Sequence, residues 1–361
     1  VYNVKQGDVF WAASDIGWVV GHSYIVYAPL ITGATTIVFE GKPIKTPNAG
    51  TFWRVIEEHK VDVFFTAPTA IRAIRKEDPH NQFYKPEMTK SLRTLFLAGE
   101  RCDISTLEYA QNLLKKPVID HWWQTESGWP MLANMQGVSP LPVKPGSASV
   151  PVCGYDIQIL HDDGTRAEAH EQGFVAIKLP LPPGCLPTLW QNNERFEAGY
   201  LTRFPGYYFT GDGGYVDEDG YVFITGRVDD VINVAGHRLS TAEMEEIIAA
   251  MSCTAECAVI GAADELKGEV PLAFVVLKDT EVRDHGTIRA EIKEQIRHEI
   301  GAVASVKTVL FVQRLPKTRS GKILRNILRS LANNTPYVVP GTIDDASVID
   351  EVKQLLELRI H

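Results

Sequence analysis

Between Thr51 and Trp123 the sequence switches repeatedly between two hydrophobic periods, and this alternation leaves few architectures open. TFWRVIEEHK (51–60) sets Phe52, Val55 and Ile56 at helical spacing, and VDVFFTAP (61–68) reads as a short buried strand. TAIRAIRK returns to helix and LRTLFLAGE (92–100) to strand. TLEYAQNLLKK is an amphipathic helix with Leu107, Ala110, Leu113 and Leu114 on one side, and it feeds the strand PVIDHW. Short apolar strands separated by amphipathic helices predict a mostly parallel sheet covered by helices. Ligands of such sheets collect beyond the carboxyl ends of the strands, where LAGERCD and DHWWQTESG fall.

The texture changes twice more. From about Gly154 to Gly226, YDIQILHDDG, GFVAIKLP and GYVDEDGYVFITG are strands separated by Asp/Gly turns, the last a hairpin around Asp217–Gly220. A small β-barrel-like antiparallel unit is expected. After Asp229-Asp230, STAEMEEIIAAM opens on a capping pair, Ser240 and Glu243, and carries an apolar stripe at Met244, Ile247, Ile248 and Met251. ECAVIG, VPLAFVVLK and VKTVLFVQRL are strands, and TIRAEIKEQIRHEIG is a helix stopped by Gly301. We therefore divide the chain into an α/β part (1–153), an antiparallel part (154–228) and a C-terminal α+β domain (229–361) with a tail after 331.

Composition removes several functions. The chain has 361 residues, 45% apolar and 22% charged, with 36 basic against 45 acidic residues. A net charge of −9 argues against nucleic-acid or membrane-surface binding as its main role. Five dispersed cysteines include no CxxC, and Cys253 and Cys257 read as buried thiols near a helix end. Ten histidines show no HExxH spacing, so no zinc site is expected. The apolar run Ile16–Phe39 is broken by His22, Ser23 and Pro29, and we expect a buried core segment rather than a membrane span. The chain opens on Val1 without an initiator Met, and we read it as a piece of a longer polypeptide.

Four stretches carry chemistry. In FPGYYFTGDGG, Asp212 can accept both hydroxyls of a ribose, although taken alone it reads first as a turn residue. In TGRVDDVINVAGHRLS, Arg227, Arg238, Asp229 and Asp230 sit between two differently patterned units. They form either a solvated salt-bridged linker or a hinge whose arginines reach a nucleotide. In DHWWQTESG, Thr125 and Glu126 suit a phosphate and its Mg2+, while Trp122 and Trp123 suit a core equally well. LPKTRSGKILR (315–325) is no Walker loop, because Pro316 and Ile323 stand where a Gly and a Ser or Thr are required.

Taken in order, ASDIGWVVGHSY, TAPTAIRA, WWQTESG, GYYFTGDGG, GRVDDVINVAGHR and LPKTRSGKI resemble the successive core motifs of the acyl-adenylate-forming enzymes, specifically the short-chain acyl-CoA synthetases. AGERCD, KLPLPPG and DHWWQTE resemble the propionyl-CoA synthetase branch. The resemblance spans nearly the whole chain and implies a two-step ligase using ATP, Mg2+ and CoA. A carboxylate displaces pyrophosphate to give acyl-AMP, a mobile C-terminal domain rotates, and the CoA thiol displaces AMP.

It also implies residue roles. Lys322 faces the carboxylate and α-phosphate as the catalytic residue. Asp212 and Arg227 hold the ribose, and Gly99, Glu100 and Arg101 border the adenine. Asp120, His121, Trp122, Trp123, Gln124 and Thr125 close that side. Glu126 holds Mg2+, Arg238 neutralises phosphate charge, and Asp229 is the hinge. Arg297 binds a CoA phosphate, with Val20, Ala235 and Gly236 near the thiol arm. Trp18, Val19, Ala98 and Trp123 form the acyl pocket. Ala98 stands where acetate-specific relatives carry Val, which implies room for about one or two further carbons, so propionate is preferred over acetate.

One departure is large. The family's TSGTTGxPKG-type phosphate loop is absent from this sequence, and matching members are nearly twice as long. The expectation is a C-terminal portion of a synthetase that is inactive alone. The competing readings are an acetyl-CoA synthetase, a non-catalytic nucleotide-binding fragment, or a domain that loads a carrier protein. Arg297 argues against the last. Smaller departures are Val20, which stands where many acetyl-CoA synthetases have Thr, and Arg101, which replaces a common Pro. Small-molecule substrates and a cytosolic or mitochondrial-matrix location are expected. The tail after Leu331 has no evident chemistry.

Overall fold

A computed structural model describes residues 1–234, 237–319 and 321–357, with backbone alone for Asp229, His237 and Arg238. It divides into two compact units, Val1–Ile74 with Asp78–Val228, and Arg75–Glu77 with Asp229–His361.

The first unit holds β1 (Val9–Ala12), α1 (Ala28–Thr32), β2 (Thr35–Thr36), α2 (Thr51–His59), β3 (Val63–Thr66), the start of α3 (Pro68–Glu77), β4 (Thr94–Leu97), α4 (Ile104–Leu114) and β5 (Val118–Asp120). The strands form one parallel sheet in the order β2-β1-β3-β4-β5. Period-two alternation sorts their side chains. Trp11, Phe64, Leu95, Leu97 and Val118 pack against Phe52, Trp53 and Ile56 of α2, Ile71 and Ile74 of α3, and Leu107, Ala110 and Leu114 of α4. Phe10, Ala12, Val63, Phe65, Phe96 and Ile119 point the other way, onto Tyr2, Tyr24 and Ile25. Both faces are therefore buried, which explains why these strands read as continuous apolar runs.

The strand order reverses direction between β1 and β3, which is where ligands of such sheets bind, beyond the carboxyl ends. Pairing continues past those ends: Ala13 N donates to Phe65 O (2.8 Å), Ala98 N to Thr66 O (3.3 Å) and His121 N to Leu97 O (3.1 Å). The loops after β1, β3, β4 and β5 thus leave the sheet side by side.

The run from Ile16 to Phe39 corrects our expectation. Gly21, Tyr24, Ile25 and Pro29 are buried, but Ile16, Val26, Tyr27, Leu30, Ile31 and Val38 are exposed, Ile31 at 85%. Residues 21–32 are helical, and a helix offers the sheet only one face. No helix among the described residues is long and apolar enough to cross a membrane.

The rest of the first unit is antiparallel. β6 (Leu132–Ala133) pairs with β7 (Val150–Pro151). β8 (Ile157–Leu160), β9 (Gly173–Lys178), β10 (Tyr207–Val216) and β11 (Val222–Arg227) lie in the order β11-β10-β9-β8, with the short helix α5 (Asn193–Phe196) between β9 and β10. Asp217 closes the β10–β11 hairpin by accepting from Tyr221 N through its side chain. The free edge of β11 is taken up by Ala148 and Ser149, each bonded to Val222, which lead into β7.

The second unit contains β12 (Ile232–Val234), β13 (His237–Leu239), α6 (Thr241–Ala250), β14 (Thr254–Asp264), β15 (Gly268–Leu277), α7 (His285–Ile300), β16 (Thr308–Phe311), α8 (Arg325–Ala332) and α9 (Ser347–Glu357). Its sheet runs β13-β12-β15-β14, with β16 parallel to β15. Ser240 caps α6 by accepting from Glu243 N, and Gly301 ends α7. Val259, Ala273 and Val275 face α6 and α7 with the buried thiols of Cys253 and Cys257. Ile260, Leu272 and Phe274 face α8 and α9. The tail beyond Leu331 therefore contributes Val348, Val352 and Leu356 to one core.

Candidate functional site

The loop after β5 is locked before any ligand arrives. Ser127 N and Gly128 N both donate to Gln124 O, and Gln124 N donates to Ser127 Oγ. The turn presents Gln124, Thr125 and Glu126 from the carboxyl edge of the parallel sheet.

Gln124 then joins the parallel sheet to the antiparallel one. Its Nε2 donates to Asp212 Oδ2 (2.7 Å) and Thr210 O (2.8 Å), while Tyr208 Oη donates to its Oε1 (3.1 Å). Asp212 lies inside β10 rather than in a turn, at a step where pairing with β9 shifts between Phe209 and Gly213. Such an irregularity re-aims a strand side chain. Gln124 thus meets the Tyr208 hydroxyl, the Thr210 carbonyl and the Asp212 carboxylate along this irregular strand. Arg227 is the ladder partner of Asp212. Its Nη1 donates to Thr210 O (2.9 Å), and its guanidinium lies where a Cβ on Gly211 would sit, about 2.5 Å away. Gly211 has φ +73°, which favours glycine there, and any side chain at 211 would displace the Arg227 guanidinium.

Glu126 is held from the other side. Tyr200 Oη donates to Glu126 Oε1 (2.8 Å), and Leu186 N donates to Glu126 O (2.7 Å). Burial first, then the Glu126 charge, pushes the Tyr200 phenol up to about 12, so it remains a donor at working pH. Glu126 Oε2 accepts no hydrogen bond among the described residues. A half-buried carboxylate with one free oxygen, beside the exposed Thr125 hydroxyl, fits a Mg2+ shared with phosphate oxygens.

After β4, Gly99 is exposed and Glu100 is tied down. Glu100 Oε1 accepts from Thr69 N (2.7 Å), Thr69 Oγ1 and Arg72 Nη2 (2.6 Å), and Arg72 Nη1 also donates to Asp103 Oδ2 (2.9 Å). The start of α3 thus fixes the Gly99–Arg101 loop, and the Glu100 carboxylate is spent on that contact. Burial raises the Asp120 carboxyl well above its usual range, with the Arg101 charge opposing. His121 is buried and bonded to Tyr2 Oη at Nε2 (2.8 Å), and burial takes it down to about 3. His121 is therefore held neutral.

The two tryptophans separate. Trp122 bridges to Leu132 and packs with Leu132, Ile157 and Ile177, a core role. Trp123 stands edge-on to Tyr24 (5.0 Å) in the cluster that also holds Trp18 and Ala98. Val20, assigned above to the CoA side, is buried in this same cluster, whereas Val19 lies outside it. Consecutive residues of a helical turn point about 100° apart, so the two valines face different ways.

In the second unit Arg297 is exposed on the last turn of α7, and the Lys322 side chain is exposed. Ala235 and Gly236 lie outside the described residues, as do the side chains of Asp229 and Arg238. Tyr200, Tyr208, Thr69 and Arg72 were missed from sequence. Tyr208 was readable as lying two and four positions from Thr210 and Asp212 on a strand, whereas Tyr200 gave no pattern.

The model of the AMP-binding enzyme family matches residues 1–181, and that of the AMP-binding enzyme C-terminal domain matches residues 243–322. The chain belongs to this family. It is 54% identical over 359 residues to an uncharacterized protein of Pseudomonas aeruginosa, covering 99% of this chain and 57% of that one. It is 49% identical to human mitochondrial acyl-CoA synthetase short-chain family member 3 (99% and 52% covered), and 45% identical to propionate–CoA ligase of Escherichia coli (99% and 57%). The chain thus spans about half the length of these relatives. Among solved structures, an anthranilate CoA ligase in complex with anthranoyl-AMP superposes with a TM-score of 0.81 at 28% identity, covering 92% of this chain and 61% of that one.

Proposed function

We propose that the polypeptide carrying this chain is an AMP-forming short-chain acyl-CoA synthetase that prefers propionate and accepts acetate. The observation that carries this reading is the Gln124–Asp212 hydrogen bond, which holds a carboxylate acceptor beside the strand-end loops. Asp212 accepts the ribose hydroxyls, Arg227 covers that end of the nucleotide, and the backbone of Gly99–Arg101 borders the base. Glu126 and Thr125 hold a Mg2+, which when bound supplies charge neutralisation to the phosphates. Lys322 stabilises the charge that builds on the carboxylate and α-phosphate oxygens during attack. Arg238 neutralises phosphate charge, Arg297 binds a CoA phosphate, and Asp229 acts as the hinge between the two half-reactions.

Trp18, Ala98 and Trp123 cluster in support of a small acyl pocket. Trp123 limits its length, and the Ala98 methyl leaves space for the extra carbon of propionate. No Ser/Thr/Gly-rich lysine loop occurs in this sequence, so the 361-residue chain alone is expected not to adenylate. The test is acyl-AMP formation from propionate and ATP by the full-length protein and by this chain. Acyl-AMP formation by the full-length protein supports the reading and its absence contradicts it, while activity of the chain above a Lys322→Ala control contradicts only the expected inactivity of the chain alone.

A further inference from the structure

Sequence gave the tail after Leu331 no chemistry, but its backbone is hydrogen-bonded to the segment that presents Lys322. Residues 316–319 and 321–324 form the two arms of a tight hairpin. Lys317 pairs with Ile323, Leu324 N donates to Pro316 O (2.9 Å), and Thr318 N donates to Lys322 O (2.9 Å). Gly321 turns the chain at φ +92°, and Lys322 N donates to Thr318 Oγ1 (3.1 Å). The Lys322 main chain is thereby held through both its N–H and its carbonyl, while its side chain stays exposed.

The outer edge of this hairpin is occupied by the tail. Thr318 pairs with Ile343, Arg319 N donates to Thr342 O (2.9 Å), and Asp344 N donates to Lys317 O (2.9 Å). Arg319 Nη2 adds a bond to Gly341 O (2.8 Å). The strap is anchored on both sides. Ile343 packs with Leu324, Ile327 and Ile349. Beyond it, Arg314 binds Asp345 and Glu351, each at 2.6 Å, while Val348, Val352 and Leu356 of α9 are buried. A hairpin of this size with a free edge frays, and a third strand removes that edge.

We infer that Gly341–Asp344 is a positioning strap for Lys322, so that the tail sets the reach of the adenylating lysine without touching substrate. The catalytic half of this inference rests on the proposed function; the strap itself does not. Small displacements of a group that acts in the transition state cost rate rather than ground-state binding.

Arg319→Ala removes the bond to Gly341, and Asp344→Pro removes the donor to Lys317. Arg319→Ala is a surface change that leaves both cores intact, and Arg319→Lys restores a donor. In the full-length protein we expect amide exchange across residues 317–324 to quicken by roughly ten-fold in both disrupting variants, with β14 and β15 unchanged. We expect kcat of propionate-dependent ATP–pyrophosphate exchange to fall by roughly ten-fold at unaltered KM, with recovery in Arg319→Lys. Thioester formation from supplied propionyl-AMP should be unaffected. Unchanged exchange across 317–324, or adenylation within about two-fold of wild type, overturns the inference. Failure of the wild-type protein to adenylate any acid overturns the functional reading instead, and amide exchange still decides the strap.

Discussion

Tyr200 donates a 2.8 Å hydrogen bond to Glu126, and its ring stacks at 5.4 Å on Tyr208, whose hydroxyl donates to Gln124. Two tyrosines from the antiparallel region thus set two polar side chains of the WWQTE loop. Tyr200→Phe keeps the stack and deletes one charge-assisted bond, worth about 1.5–3 kcal/mol at most and less at this half-exposed position. The expected result is a rise of roughly three- to ten-fold in the Mg2+ concentration that half-activates adenylation, with little change in Tm. A Mg2+ titration of ATP–pyrophosphate exchange reads this directly.

Gln124→Glu places a second carboxylate against Asp212 Oδ2, where the amide now donates at 2.7 Å. Like charges at that distance cannot both ionise freely, so the Asp212 carboxyl should rise and its ribose contact weaken. ATP affinity by calorimetry should drop by roughly ten-fold or more, and more than in Gln124→Ala. Equal affinity for the two variants contradicts this account of the bond.

Ala98 is buried beside Trp18 and Trp123. Ala98→Val adds two methyl carbons to that cluster, and a methylene discriminates by about 1–3 kcal/mol in such pockets. The propionate-to-acetate ratio of kcat/KM should fall by roughly ten-fold or more. An unchanged ratio removes Ala98 from the pocket.

His121 carries a pH signature. Its folded value of about 3 lies below that of an unfolded histidine, because burial among Tyr2, Phe65 and Phe96 excludes the charged ring. The unfolded chain therefore binds the proton first. The stability contributed by neutral His121 is complete above about pH 6.5 and declines as pH falls toward 3, by at most about 1.4 kcal/mol per pH unit. Urea midpoints of wild type should fall through that window more steeply than those of His121→Asn. Parallel slopes contradict the assignment.

Sequence made the parallel sheet legible because Val63–Phe65 and Leu95–Leu97 bury both faces, which leaves a continuous apolar run between helices of regular period. The site was legible where chemistry is local, as at Asp212, Gln124 and Glu126. It was not legible where a side chain reaches across the fold. Arg72 reads as one more exposed arginine on a helix, and only its contacts with Glu100 and Asp103 reveal that it holds the loop after β4. Val19 and Val20 differ only by which way one helical turn points them. The exposed face of residues 16–38 was hidden because apolar content alone does not distinguish a helix with one buried face from a fully buried one. The strap at 341–344 is made mostly by main-chain groups, which leave no residue signature, with one side-chain bond from Arg319.

We propose that Lys322, Asp212 and the cluster of Trp18, Ala98 and Trp123 serve as the lysine, the ribose carboxylate and the acyl pocket of an AMP-forming ligase. The most direct measurement is propionate-dependent ATP–pyrophosphate exchange by the full-length protein, compared with Lys322→Ala and Asp212→Ala. Labelled pyrophosphate should enter ATP only when propionate is present, and adding CoA should release AMP and pyrophosphate as products. Lys322→Ala should abolish the exchange while thioester formation from supplied propionyl-AMP persists, and Asp212→Ala should lose ATP affinity. Exchange that survives Lys322→Ala, or products that are ADP and phosphate, would contradict the proposal.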